Sequence, residues 1–296
     1  MALLIAGGYD DLNLSVLADA AGRANLECFD TRIPTAESPS FSWNPGGGPP
    51  RFSDREIKVA GAFIRHDVFS GMKDPRPQVA VRAFAWHQAI MGWLLSDPRI
   101  RIFNRHISLI ASNKPAVLVL AQQEGLRIPP TMITNETSRF EPEEVRHKIA
   151  KPVGGGDFCY SLEEALAKTN PRDGLTASPA IVQKRLVAPE VRIYVIGQST
   201  FAFEVRSESL DYRVKQDARL VLLADVPPEA HRLRNLMARM NMDFGAADFK
   251  TDPDTGHLIF LELNTSPMFA QFDQISGGQI SDAMVGELMA GELIRS

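Results

Sequence analysis

The apolar and polar positions of residues 245–267 follow the pattern of a β-hairpin. Two runs rich in apolar residues, 245–251 and 257–264, flank the segment Asp252–Gly256. This segment contains the Asp, Pro and Gly residues that favour tight turns. The pattern therefore predicts two antiparallel strands joined by a short turn.

The register of this hairpin decides which side chains meet. If Thr251 pairs with His257, Asp248 lies opposite Phe260 and diagonal to Glu262. Side chains alternate between the two faces of a strand, so Asp248 and Glu262 share one face. Diagonal partners lie about 7–8 Å apart at the backbone, which lets two carboxylates reach one ion.

Asn264 belongs to the same face, because it lies two residues after Glu262. The other face carries the apolar side chains Ala247, Phe249, Ile259, Leu261 and Leu263. Two carboxylates and an amide suit Mg²⁺, which completes its shell with water and phosphate oxygens. The same face also fits an ordinary solvated strand surface, so the magnesium interpretation depends on the rest of the chain.

The N-terminal part of the chain predicts alternating strands and helices. Ala2–Ala6 predicts a buried strand, Leu12–Ala24 a helix, and Leu26–Phe29 and Ala62–Ile64 two further strands. A β-α-β opening is typical of a doubly wound domain. The turn Gly7–Asp10 lacks the Gly-x-Gly-x-x-Gly pattern, so it does not indicate dinucleotide binding.

An amphipathic pattern in Gln78–Ser96 predicts a long helix, and Ile100–Phe103 then closes the first domain as a strand. The apolar stripe of the helix consists of Val81, Phe84, Ala85, Ile90, Trp93 and Leu94. The pattern leaves open whether this helix packs into the core or forms a dimer interface.

The middle of the chain predicts a small mixed subdomain. Ser112 or Asn113 can cap a helix that has Pro115 in its first turn. Lys148–Val153 predicts a strand that runs into a glycine-rich turn. The remaining elements are strands at Ala180–Gln183, Val191–Ile196, Thr200–Arg206 and Leu220–Leu223, and helices at Pro228–Asn241 and Gln279–Leu293.

Composition narrows the class of protein. The 296 residues suffice for about two domains, or one large domain with a lid. The net charge of −4 gives no reason to expect nucleic-acid binding, and no apolar run approaches the length of a membrane span. Two distant cysteines, Cys28 and Cys159, fit a reducing compartment. We therefore expect a cytoplasmic protein.

Lys151 precedes the glycine run Gly154, Gly155 and Gly156 at the end of a predicted strand. Such a run lets backbone N–H groups approach phosphate oxygens, and the lysine adds positive charge. No Gly-Lys-Ser/Thr sequence follows, so this is not a Walker loop. A flexible turn would give the same local pattern.

Two further segments carry polar groups that suit a nucleotide. Gln183–Arg192 can offer backbone groups to an adenine edge, and Glu190 can accept hydrogen bonds from ribose hydroxyls. Arg192, Arg206 and Arg213 carry guanidinium groups, which bind phosphates and carboxylates bidentately. Taken alone, the first segment also fits a linker and the arginines also fit a solvated surface.

The order of these features resembles the ATP-grasp superfamily over residues 104–293. The resemblance implies an α/β (α+β) ATP-grasp fold. Its parts would be an N-terminal doubly wound pre-ATP-grasp domain (1–103), a small central lid subdomain (104–185) and a C-terminal antiparallel-sheet subdomain (186–296).

The resemblance also implies roles for individual residues. Those that would bind ATP are Lys114, Lys151, Gly154, Gly155, Gly156, Gln183, Lys184, Arg185, Leu186 and Glu190. Those that would hold the triphosphate or the activated carboxylate are Arg192, Arg206 and Arg213. Those that would bind Mg²⁺ are Asp248, Glu262 and Asn264. Similar hinges read Gln-Glu-Tyr/Phe-Ile/Val, whereas residues 183–186 read Gln-Lys-Arg-Leu, so adenine recognition is expected to use mostly the backbone.

Within the superfamily, the chain is most similar to the microviridin-type or graspetide synthetases, which modify ribosomally made peptides. The likeness lies in Ala62–His66, Ala111–Lys114 and Ser207–Arg213, although His66 replaces an expected arginine. Ligases that add glutamate to protein termini share Arg206 and the Asp-Tyr-Arg segment nearly as well.

This resemblance implies an ATP- and Mg²⁺-dependent ligase that forms an acyl phosphate on a carboxylate-bearing substrate, with a precursor peptide as the first expectation. An acceptor amine or hydroxyl would then displace phosphate. The alternatives are a ligase for a free amino acid, small peptide or protein terminus, a kinase, and a non-catalytic nucleotide-regulated peptide-binding module. Neither a nucleic acid nor a membrane is expected as a partner, and a homodimer is left open.

Overall fold

The computed structural model describes residues 2–33, 39–65, 76–154, 159–206 and 219–293. By its internal contacts the chain forms two units. The first unit consists of Met1–Arg105, Ile196–Ser199 and Ser266–Ser296, and the second of His106–Val195 and Thr200–Thr265. The division into three domains expected from the sequence stays a prediction.

The first unit is built around a parallel sheet. Its first elements are β1 (Ala2–Gly8), α1 (Leu12–Arg23), β2 (Glu27–Ile33), β3 (Phe41–Ser42), β4 (Arg51–Phe52), β5 (Arg55–Glu56), β6 (Gly61–Ile64), α2 (Pro77–Ser96) and β7 (Arg101–Ile102). Strands β2, β1, β6 and β7 pair in that order, all parallel. β1 is buried along its whole length, as its continuous apolar run requires. The predicted β-α-β opening is confirmed.

Helix α2 matches the predicted helix, but only its C-terminal half lies in the core. Ile90, Trp93 and Leu94 pack in the cluster beside the parallel sheet. Val81 and Phe84 are 68% and 54% exposed. The apolar stripe therefore packs into the core only in the C-terminal half, and for Val81 and Phe84 the dimer interface stays a prediction.

The second unit contains two sheets with helices against them. Its elements are α3 (Lys114–Gln123), β8 (Thr131–Glu136), α4 (Pro142–Val145), β9 (Lys148–Pro152), β10 (Tyr160–Ser161), α5 (Leu162–Lys168), β11 (Leu175–Lys184), β12 (Val187–Ile196), β13 (Ser199–Arg206), β14 (Arg219–Leu222), α6 (Glu229–Arg239), β15 (Phe244–Thr251) and β16 (Leu258–Asn264). The strand orders are β10-β9-β11-β8 and β14-β13-β12-β15-β16. α3 and α6 share a hydrophobic core with the larger sheet.

The start of α3 places a lysine beside this core. Asn113, rather than Ser112, caps the helix, and its side chain accepts a hydrogen bond from the Ala116 N–H at 3.0 Å. Pro115 lies in the first turn, where its missing N–H costs nothing. Lys114 is therefore fixed as the first residue of the helix.

The predicted hairpin is formed by β15 and β16, but its register differs from the predicted one. Thr251 pairs with Leu258 rather than His257, and Asp248 pairs directly with Glu262 rather than with Phe260. The turn is one residue longer than expected, and a bulge leaves Leu261 without a cross-strand partner. The alternation of apolar and polar residues could not reveal the bulge. An extra residue in one strand shifts the cross-strand pairing but leaves no mark in the residue types of either strand.

The bulge also changes which apolar residues face the core. Phe260 pairs with Phe249, and their ring centroids lie 5.6 Å apart within the core. Ile259 pairs with Lys250 on the other face. The predicted core positions of Ala247, Phe249 and Leu263 are confirmed. Ile259 is also buried, at 5% exposure, but on the opposite face from the one predicted, and Leu261 is only half-buried.

The last two helices, α7 (Ala270–Ile275) and α8 (Gln279–Leu293), belong to the first unit. Two backbone N–H groups of this segment, those of Phe269 and Ala270, donate to the Asn13 side chain at 2.6 and 2.8 Å. None of the described helices combines the length and apolar character needed to cross a membrane.

Candidate nucleotide and metal site

Two carboxylates and an amide meet on the face of the β15–β16 hairpin that is turned away from the core. Asp248 and Glu262 are direct cross-strand partners. Side chains of such partners start about 5 Å apart, closer than the predicted diagonal arrangement. The Asn264 amide donates to Asp248 Oδ2 at 3.2 Å. The structure thus brings the three predicted metal ligands together.

Two cations contact these acids from neighbouring elements. Lys114, at the start of α3, places Nζ 3.3 Å from Glu262 Oε2. Arg192, on β12, places Nη1 3.5 Å from Asp248 Oδ1, and both of these side chains are almost buried. The Arg192 guanidinium also lies 5.5 Å from the centroid of the Tyr194 ring, in cation–π range.

Lys151 reaches the same cluster from β9. Its ammonium donates to the Leu261 carbonyl at 3.4 Å, so the bulged residue supplies an acceptor beside Glu262. Burial lowers the pKa of Lys151 below its ordinary value. The Glu262 charge partly offsets this effect, and the nearby Lys114 charge adds to it.

A pocket opens between these elements of the second unit. Lys114, Lys151 and Glu262 form its polar wall. The apolar wall includes Val117, Leu118, Ile181 and Leu263. The pocket thus borders the charged cluster on one side and the hydrophobic core of the second unit on the other.

The chemistry of the donor set fits Mg²⁺ together with a polyphosphate. Carboxylate and amide oxygens are ligands that Mg²⁺ accepts, and it usually binds few protein carboxylates and shares phosphate oxygens. Among the described residues no three His, Cys, Asp or Glu side chains form a metal cluster, and the predicted set consists of two carboxylates and the Asn264 amide. Lys114 and Arg192 each pair with one of the two carboxylates, and Lys151 lies beside them at the Leu261 carbonyl.

The predicted adenine hinge follows β11. Gln183 is 1% exposed, and its Nε2 donates to Thr131 Oγ1 at 2.9 Å. The backbone N–H groups of Lys184 and Arg185 donate to the carbonyls of Pro130 and His147 at 3.3 and 2.7 Å. These two amides are therefore already used within the protein.

Leu186 is buried at the end of the hinge, whereas the Arg185 side chain is exposed. Two charged residues of this region bind the β15–β16 hairpin. Lys184 pairs with Asp252 and Asp254, and Glu190 pairs with Lys250 at 3.1 Å.

The contacts described above do not include some of the predicted site residues. Arg206 is largely exposed at the end of β13 and pairs with Glu204. Gly154 is exposed, with open space around it. Gly155, Gly156 and Arg213 lie outside the described residues, as does His66. Their predicted roles stay predictions.

Sequence reasoning missed Lys250. It lies two residues after Asp248, so strand alternation places it on the same face as the metal ligands. Its ammonium holds the carboxylate predicted to bind ribose. The alternation was visible in the sequence, but nothing local identified Glu190 as its partner.

No protein-family model and no curated protein matches the sequence. Solved structures match over nearly the whole chain. The ATP-grasp ligase PsnB complexed with a minimal precursor has a TM-score of 0.76 and 22% identity, covering 98% of each chain. The macrocyclase MdnC of Microcystis aeruginosa, bound with its precursor peptide MdnA, has a TM-score of 0.74 and 21% identity, covering 98% of this chain and 100% of MdnC.

A RiPP-associated ATP-grasp ligase of Chryseobacterium gregarium, in complex with ADP and a leader and core peptide, has a TM-score of 0.67. It is 17% identical and covers 98% of this chain and 96% of its own. The chain has the fold of the ATP-grasp ligases, as the sequence predicted. These similar structures are of ligases that modify peptides.

Proposed function

We propose that this chain is an ATP-dependent ligase that joins a carboxylate to an amine or hydroxyl within a ribosomally made precursor peptide. One observation carries the proposal: on an ATP-grasp fold, Lys114, Lys151 and Arg192 surround Asp248 and Glu262 in one cluster. That cluster unites the groups that phosphoryl transfer needs, which are metal ligands and fixed positive charge.

The nucleotide is proposed to lie along this cluster, with its base at the hinge. Leu186 and the carbonyls of the hinge would bind the adenine edge, since the N–H groups of Lys184 and Arg185 are used internally. Glu190, held by Lys250, would accept the ribose hydroxyls. Lys114 and Lys151 would bind phosphate oxygens, and residues 154–156 would cover them.

The metal is assigned to Asp248, Glu262 and Asn264. Bound Mg²⁺ supplies positive charge to the phosphate oxygens. The ammonium groups of Lys114 and Lys151 add to this charge and orient the triphosphate. Arg192 pairs with the Asp248 carboxylate and would hold it in place for the metal.

The reaction would take two steps. A substrate carboxylate oxygen attacks the γ-phosphorus of ATP, and ADP leaves. The acceptor nitrogen or oxygen then attacks the acyl carbon, phosphate leaves, and the acceptor proton passes to a base. Arg206 and Arg213 are proposed to bind the carboxylate or the acyl phosphate, which must be shielded from water.

The peptide substrate is proposed from the named neighbours. PsnB structures hold a minimal precursor, Mg and ADP, and MdnC is bound with its precursor peptide. A small neighbouring reading frame that encodes an acidic peptide rich in Ser, Thr and Lys would supply the natural substrate. A cytoplasmic location is proposed because Cys28 and Cys159 are not joined in a disulfide.

The test compares Glu262→Gln with Glu124→Gln in ATP turnover and peptide mass. Both acids pair with a cation, at 3.3 and 3.1 Å, and are 22% and 23% exposed, but only Glu262 lies in the cluster. Loss of one preorganised site charge should lower ADP formation about a hundredfold, whereas Glu124→Gln should change it less than about twofold.

The mass of the peptide identifies the reaction. Macrocyclisation removes one water for each linkage formed, so the mass must fall by that amount. A joined pair of molecules would indicate intermolecular ligation, and a gained phosphate would indicate a kinase. Full turnover by the Glu262→Gln variant would refute the proposed site.

A further inference from the structure

Lys184 is held between two acids at the tip of the metal-binding hairpin. Its Nζ lies 3.0 Å from Asp252 Oδ1 and 2.5 Å from Asp254 Oδ2. Lys184 and Asp252 are mostly buried, with side chains 28% and 15% exposed, whereas Asp254 is 74% exposed. Asp254 and then Asp252 raise the pKa of the lysine, so it stays charged in this position.

The turn itself depends on one of these acids. Asp252 Oδ1 also accepts the Asp254 N–H at 2.8 Å, so this oxygen orders the turn and binds the lysine together. Among the described residues, the Asp254 carboxylate binds Lys184 and no backbone N–H of the turn. The two acids can therefore be changed separately.

Two more contacts join the same pair of segments. Thr251 Oγ1 donates to the Pro189 carbonyl at 3.1 Å. Lys250 pairs with Glu190 at 3.1 Å, and these side chains are 17% and 14% exposed. Consecutive residues of the hairpin thus bind both ends of the segment 184–190.

We propose that Lys184 is a positioning residue that fixes the adenine-binding segment 183–190 against the hairpin that holds the metal ligands. The inference rests on the proposed function, in which the base binds the first of these segments and the metal-bound phosphates the second. Because a nucleotide spans both, the separation of the segments decides whether base and phosphates bind at once. The Lys184 side chain binds the hairpin tip, and only the Lys184 backbone would contact the base.

The experiment measures ligand binding to the full chain by titration calorimetry. The ligands are Mg²⁺·AMPPNP, which spans both segments, and Mg²⁺·tripolyphosphate, which has no base. The variants are Lys184→Met and Lys184→Arg, with Lys58→Met as the control. Lys58 pairs with Glu56 in the first unit, at 2.7 Å, far along the chain from the cluster.

Lys184→Met should weaken AMPPNP binding about fivefold, the effect of losing a partly exposed ion pair, and leave tripolyphosphate binding unchanged. Lys184→Arg keeps the charge and should restore most of the affinity. Lys58→Met should change neither ligand. The melting temperature without ligand, recorded for each variant, reports whether the hairpin itself has been disturbed.

A second set of variants exchanges the charges of Lys184 and Asp254. Lys184→Glu places three acids together and should weaken AMPPNP binding more than Lys184→Met. Adding Asp254→Lys returns a cation to the tip while Asp252 still orders the turn, so it should recover part of the loss.

The outcomes separate the two proposals. If the unaltered protein does not bind Mg²⁺·AMPPNP, the proposed function fails. If it binds and Lys184→Met binds equally well, the positioning role is overturned and the function stands. Equal losses for AMPPNP and tripolyphosphate, or a melting temperature lowered with no recovery in the exchange variant, would show that Lys184 only stabilises the fold.

Discussion

At the scale of single residues, the Asp248 carboxylate is the most constrained group of the site. It is almost buried, lies 3.5 Å from the Arg192 guanidinium and accepts a hydrogen bond from Asn264. A buried carboxylate is costly to ionise unless a cation stands beside it. Arg192 therefore both stabilises the hairpin and orients a carboxylate that is proposed to bind the metal.

Arg192→Met should lower the free energy of unfolding by about 3 kcal/mol in metal-free buffer, since it leaves a buried charge without its cation. Part of the loss should return when Mg²⁺·AMPPNP is added, because binding to the folded state alone stabilises it. Urea unfolding with and without the ligand measures both effects.

Arg206→Met is the matched control, because Arg206 also pairs with an acid but is 58% exposed. Its removal should change the free energy of unfolding by less than about 1 kcal/mol. Equal urea midpoints for the two arginine variants would contradict the role given to Arg192.

At the scale of secondary-structure elements, the close approach of β6 to α8 leaves no room for a side chain at Gly61. A Cβ added at Gly61 would lie 2.4 Å from the Leu288 carbonyl oxygen, a backbone atom that cannot rotate away. Gly22, near the end of α1, has no atom within 4 Å of an added Cβ. The two glycines should therefore respond in opposite ways to the same substitution.

Gly61→Ala should destabilise the protein by about 2 kcal/mol, because a strand and a helix must separate to admit the methyl group. Gly22→Ala should stabilise it by about 0.5–1 kcal/mol through the higher helix propensity of alanine. Thermal unfolding of both variants tests the packing, and a neutral Gly61→Ala would show that β6 and α8 are not in contact as described.

The hairpin illustrates how far an element could be predicted. Its strands, its turn and the shared face of Asp248, Glu262 and Asn264 followed from alternation and turn chemistry. The bulge at Leu261 did not, and it brought the two acids into direct register and freed the carbonyl that Lys151 binds. The bulge depends on the packing of Phe260 against Phe249 and on neighbouring elements that are remote in sequence.

At the scale of the whole molecule, the first unit is discontinuous in sequence. Residues 266–296 return to the N-terminal sheet, and Ile280, Met284 and Leu288 of α8 are fully buried. The Arg65 guanidinium pairs with Asp11 at 2.9 Å in the interior and donates to the Pro267 carbonyl, also at 2.9 Å. Both charges of this pair are inaccessible to water.

A fragment of residues 1–105 should therefore not fold alone, because it would expose the apolar surface that α8 covers and leave Arg65 without an acceptor at Pro267. Trp43, Trp86 and Trp93 lie within the fragment and report on its packing. Circular dichroism and tryptophan fluorescence should show an unfolded chain, and joining residues 266–293 through a flexible linker should restore structure. A cooperative melting transition in the fragment alone would contradict this expectation.

The sequence by itself determined the longer helices and strands, the face that carries the proposed metal ligands and the residue types of the site. Each of these follows from periodicity or chemistry within a few neighbouring residues. The tertiary structure alone decided the pairing of Asp248 with Glu262, the partners of Lys184 and Glu190, and the return of α8 to the first sheet. These features depend on which distant segments pack together. Buried charges need partners because water is excluded from them, and water is excluded only after the segments have packed.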